Sequence, residues 1–173
     1  MITIKKEYVV VNENDLDRKL RKYSNPQLFF LACLRVIVGW HFLYEGYVKL
    51  TSTGWSAAGY LNAVPGPFAG LFEAMVKHTW MINVIDFTME WGLTAVGLAL
   101  ILGLFTRVAA SAAAIFLFLF YISNPPWIGV HFMPGEGSYL FVNKNLVELA
   151  AVMVLLVFPS GLIWGFDRLF EKE

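Results

Sequence analysis

Cysteine is nearly absent: Cys33 is the one thiol in 173 residues. An intrachain disulfide is thereby excluded, and so is a CxxC redox pair. Net charge is absent too, because thirteen basic residues balance thirteen acidic ones, and that balance removes the electrostatic case for a nucleic-acid partner. Histidine is scarce (His41, His78 and His131), and no two of the three are expected on facing helices at one depth. Neither haem nor a metal is therefore predicted. Zinc-ligand spacing, a phosphate loop and a nucleophile elbow are all missing. The opening MITIKKEYVVVNENDLDRKLRKY lacks a signal peptide's short apolar core, so the first apolar span is expected to stay in the mature chain.

What is present is apolar. The chain is 58% hydrophobic and 15% charged, with mean hydropathy +0.60, the composition of an integral membrane protein. About 20 apolar residues cross a bilayer, and four runs approach or meet that length: 28–50, 83–104, 108–122 and 144–158. The reading is all-α, an integral membrane four-helix bundle. A polar tail (1–27) precedes a membrane domain (28–170), and a second tail (159–173) closes the chain. Between the first two runs, Pro65-Gly66-Pro67 splits a loop into short helical pieces at 56–61 and 67–78. In the second piece Phe68, Leu71, Phe72, Met75 and Val76 follow helical spacing, so it is expected in the membrane interface with its apolar face down. The loop 125–143 carries Trp127, Phe132, Tyr139 and Phe141 among prolines and glycines, and is expected to fold down as a lid.

Lysine and arginine set the orientation. Nine lie in the N-terminal tail, the turn near Arg107 and the C-terminal tail, whereas Lys49, Lys77 and Lys144 lie at the other ends of the spans. By the positive-inside rule both termini are cytoplasmic and the two long loops face outward. A bacterial or archaeal cell membrane is the expected location.

The first run, LFFLACLRVIVGWHFLYEGYVKL, carries Arg35, His41, Glu45 and Lys49. At roughly 100° per residue these four share one face about 120° wide. A charge at the bilayer centre costs about 2.5–3.5 kcal/mol, so that face must turn toward partners or a wet cavity. Asp86 and Glu90 in the second span and Lys144, Asn145 and Glu148 in the fourth are expected to meet it at one level. Arg35, deeper than the rest, needs an acceptor across the bundle: a helix-end carbonyl or a ligand oxygen. Trp40 and Trp91 lie deep enough to wall a flat ligand, while the other tryptophans are read as an interfacial belt.

RVIVGWHFLYEGYVK (35–49) resembles the first-helix motif of the DoxX/DoxD family. GWSAAGYL with GPFAGLF is similar to the loop that follows in its DoxD-like members, and GLFTRVAA and NKNLVELA are similar to its later helix starts. Some DoxD-type proteins are the membrane subunit of thiosulfate:quinone oxidoreductase. The resemblance therefore implies a quinone-linked redox subunit passing electrons from thiosulfate or another small donor to membrane quinone. It also implies a second subunit or a further copy of the chain as partner. In that role His41 and Lys49 are expected to donate to the quinone, in a slot with Arg35, Trp40 and Trp91. Glu45, Glu90 and Glu148 are expected to relay protons with His41, and Lys49, Lys144 and Asn145 to meet the donor at the mouth. The alternative is a non-enzymatic membrane scaffold or assembly subunit whose polar core only orders the bundle.

Overall fold

A computed structural model describes residues 22–65, 67–124, 126 and 140–170, and the regular elements among them are helices. The first, α1 (Asn25–Thr51), begins with Pro26 in its first turn, where a missing N–H costs nothing. The backbone N–H of Ser24 donates to Gln27 Oε1 at 2.8 Å. Two short helices follow, α2 (Ala58–Asn62) and α3 (Ala69–Val76). The second long helix is made of α4 (Thr79–Phe87), a π-helical turn (Thr88–Gly92) and α5 (Leu93–Leu102). It stops at Gly103, whose φ of 64° suits a residue without Cβ. There the N–H groups of Leu104 and Gly103 donate back to the Ala99 and Leu100 carbonyls. Next come α6 (Thr106–Ser123), α7 (Lys144–Val157), a 3₁₀ turn (Ser160–Leu162) and α8 (Asp167–Phe170).

Asn25–Thr51, Thr79–Leu102 and Thr106–Ser123 are each long and apolar enough to cross a membrane. Much of their surface faces outward and is apolar: Ile37, Trp40, Phe87, Val108 and Ile115 are all exposed. Such a surface is stable against lipid rather than water. The helix α7, at 14 residues, spans only about 21 Å. The four pack in a ring, α1 on α5, α5 on α6, α6 on α7 and α7 on α1. Their shared core holds Val38, Phe42, Leu93, Leu100, Leu117 and Leu155.

The closest seam in that ring is α1 against α5. A Cβ added at Gly97 would meet the Leu43 backbone and the Gly39 carbonyl, and one at Gly46 would meet the Thr94 backbone. Small residues allow this approach, the usual device for helices that associate in lipid. Gly97→Val is expected to lower stability by at least about 2 kcal/mol, because backbone cannot yield as a side-chain tip can. Thermal unfolding in detergent measures it, with Gly59→Ala as a control, since a Cβ at Gly59 meets nothing within 4 Å.

The chain after α7 returns under this seam. Arg35, 2% exposed, donates through Nη1 to the carbonyls of Ser160 and Ile163 and through Nη2 to that of Trp164. A little further on, Asp167 accepts the N–H groups of Phe105 and Thr106 at 2.6 and 2.9 Å. It caps α6 from 62 residues away, because the local N-cap residue, Phe105, has no oxygen to offer. Asp167→Ala is expected to cost about 1–2 kcal/mol, read as a lower midpoint of thermal unfolding, and Asp167→Asn less.

At the opposite end α2 and α3 form a roof. Ala57, Leu61, Val64 and Phe72 are buried together, with Ile82, Ile85 and Ile122 packed against them. Asp86 ties the roof down by accepting the Ala57 N–H at 2.7 Å, so this carboxylate holds a loop rather than joining the polar cluster. Most of the proposed lid at 125–143 and most of the N-terminal tail lie outside the described residues.

Candidate functional site

Spacing of four residues stacks His41, Glu45 and Lys49 along one face of α1. Lys49 Nζ donates to Glu45 Oε2 at 2.6 Å and to the Glu45 carbonyl at 3.2 Å. The same ammonium lies 5.5 Å from the centre of the Trp55 ring, within cation–π range. Glu45 Oε1 stands 3.9 Å from His41 Nε2. Beyond the imidazole, α7 brings Glu148, whose two oxygens lie 2.7 and 2.8 Å from His41 Nδ1. Asn143 fixes the start of α7 by accepting the Leu146 N–H at 3.0 Å, which sets the turn from which Glu148 projects. A carboxylate only accepts, so Nδ1 carries a proton for Glu148, and in the imidazolium form Nε2 carries a second one on the side of Glu45.

The result is a row, Glu148, His41, Glu45, Lys49, in which acceptors and donors alternate. Beside it lies a cavity of about 580 Å³, the size that receives a drug-sized molecule. His41, Glu45, Lys49, Lys144 and Asn145 line its polar side. Elsewhere the wall is apolar, with Phe42, Leu61, Phe72, Met81, Ile85 and Leu117. Further polar spots are Ser56, Asn124 and the Tyr60 hydroxyl, the last 2.8 Å from Ser123 Oγ. This arrangement suits an amphipathic guest with a flat apolar body and one or two oxygens.

The structure brings His41, Glu45, Lys49, Lys144 and Asn145 to one cavity and sets Glu148 directly behind His41. Other residues expected there lie elsewhere. Arg35 is at the far end of α1, its guanidinium engaged with the carbonyls after α7. Trp40 and Trp91 are exposed at 62% and 54%, because each sits one residue, about 100°, from the face that looks inward. Glu90 is half-buried within the π-helical turn, outside the residues that line the cavity. Conversely, the sequence reading left Trp55 to the interfacial belt and gave Tyr60, Ser123 and Met89 no role, yet all four line the cavity. The hydroxyl pair joins a loop helix to the end of α6, and no spacing within either segment signals it.

Among the described residues no group of three His, Cys, Asp or Glu side chains is placed to hold a metal. The DoxX family model matches residues 30–124, which runs from α1 through α6 and includes His41, Glu45, Lys49 and the roof. Glu148, Lys144 and Asn145 lie beyond the matched region. No curated protein and no solved structure matches the chain.

Proposed function

The chain belongs to the DoxX family of membrane proteins, and from that premise we propose that it is a quinone-linked membrane redox subunit of the DoxD type. The observation that carries this reading is the apolar cavity bordered by His41 and its two carboxylates. A bundle with a purely structural polar core has no use for such a space, since interiors otherwise pack to crystal density.

A bound quinone supplies the redox chemistry, taking up two electrons and two protons to become the quinol. As the imidazolium, His41 donates from Nε2 to a ring carbonyl oxygen, while Glu148 accepts from Nδ1 and holds the ring in that orientation. Glu45, 3.9 Å from Nε2 and paired with Lys49, relays protons between the imidazole and the mouth. Lys49, Lys144 and Asn145 offer donors to a small anionic reductant such as thiosulfate. In this reading Glu45 and Glu148 repel such an anion little, because each already has a cationic or imidazole partner. By sequence, nine lysines and arginines precede α1, follow α7 or lie at the Arg107 turn, against Lys49, Lys77 and Lys144 toward the cavity end. The positive-inside rule then turns the cavity end outward.

The test is solvent extraction of protein purified in mild detergent. About one quinone per chain is expected; colourless, ligand-free protein would instead favour the scaffold or assembly role.

A further inference from the structure

The second long helix changes character at its π-helical turn. Below Thr88–Gly92, α5 packs on α1 and α6 and buries four residues, Leu93, Val96, Gly97 and Leu100. Above it, α4 buries none and packs chiefly on α3 and the turn itself. A π turn inserts an extra residue into a helix and changes its course, and such turns recur at functional sites. Here α4 and α6 make little direct contact along their lengths, and this stretch of chain meets α6 or its packing partners at two levels. At the upper level Ile82 and Ile85 of α4 and Ile122 of α6 pack on the same roof. At the lower, Gly92 lies so close to α6 that a Cβ would sit 3.0 Å from the Phe116 ring. From Ile85 to Gly92, and from Ile122 back to Phe116, the rise is about 9–10 Å, so the antiparallel helices frame a window of that height.

The rim of this window is also cavity wall. Met89 lines the cavity on one side and Leu119 and Phe120 on the other, while Leu119 is 40% exposed on a helix that faces lipid. The wall is closed directly above this window by the buried roof residues and directly below it by Leu93 and Leu117, each 1% exposed. A cavity of about 580 Å³ holds a ring head and the first part of a tail; the rest of a bilayer-length tail has to leave the protein. Every rim residue named is apolar, so the exit suits hydrocarbon and not water or an ion.

We propose that the window between α4 and α6 is the lateral portal through which a quinone enters from the bilayer and in which its polyisoprenoid tail remains. This rests on the quinone reading above and adds the ligand class: a long-tailed, lipid-borne quinone. The full chain is reconstituted in phosphatidylcholine vesicles, and binding is measured for two probes, a dimethoxy benzoquinone without a tail and the same ring with a full-length polyisoprenoid tail. In wild type the long-tailed probe is expected to bind the tighter. Leu119→Trp fills the rim, and is expected to lower long-tail affinity by about tenfold or more through lost apolar contact. The same variant should hold the tail-less ring within about twofold of wild type, which also shows that it is folded. Equal affinities of wild type and Leu119→Trp for the long-tailed probe would overturn the portal while leaving the quinone site standing. Equal loss of both probes in a variant with unchanged thermal unfolding would overturn it too, placing Leu119 against the ring instead. Failure of wild type to bind either probe would overturn the quinone reading and the portal with it.

Discussion

The Arg35→Met variant is expected to unfold well below wild type while the fraction that stays folded keeps its quinone. Two effects compete. Removing a buried cation relieves a desolvation cost, and whole ion pairs exchanged for apolar side chains are often neutral or stabilising. The acceptors here, however, are main-chain carbonyls of Ser160, Ile163 and Trp164, which no substitution at position 35 removes. The Ser160 carbonyl keeps the Ile163 N–H, but the buried Ile163 carbonyl loses its donor at about 1–3 kcal/mol, so the loss wins at roughly that size, a sizeable share of an ordinary domain's stability. Arg35→Lys should fall between, keeping the charge without the planar fork. Thermal unfolding in detergent gives the first result and quinone extraction the second. Loss of quinone from well-folded Arg35→Met would put the guanidinium back in the ligand slot.

The second large effect belongs to His41. His41→Leu keeps the helix and fills much of the volume, but removes Nε2 from the cavity and leaves Glu148 without its partner. Bound quinone is expected to fall by about tenfold or more, since a lost hydrogen bond to a polar ligand group is worth about 1.5–3 kcal/mol when one partner is charged. Turnover should drop by about a hundredfold or more, as for other groups that move a proton in the transition state. Glu45→Gln makes the contrast: it keeps shape and leaves quinone bound, but slows proton-coupled turnover. Full retention of quinone in His41→Leu would move the ligand away from the α1 face.

The pattern that carries these predictions was largely open in the sequence. Apolar runs of span length, and charges at four-residue intervals within the first, are local features. They required a membrane bundle with a polar interior face before any packing was known. Glu148 was expected only at the level of the first-helix polar face, and the structure sets it on His41 in particular, a pairing that spacing does not single out. Arg35 shows where such reading runs out. A helix-end carbonyl and a ligand oxygen were equally good acceptors on paper, because every residue carries a carbonyl and none advertises that it will face a cation. Trp40 and Trp91 were assigned by depth alone, whereas the difference between facing the slot and facing lipid is one residue of rotation. The π-helical turn was hidden for a related reason: nothing in TMEWG distinguishes i→i+5 from i→i+4 pairing, and tertiary packing on either side of Gly92 decides it.

The clamp on Arg35 also orders events in time. Its acceptors lie 125 to 129 residues further along the chain, so at about 5–20 residues per second they emerge from the ribosome on the order of ten seconds after it. Throughout that interval the first helix is in the membrane, or waiting beside it, with a guanidinium that has none of its final partners. Insertion of α1 is thus provisional until translation is nearly over. A nascent chain stalled before Ser160 holds the Arg35 cation without any of these acceptors.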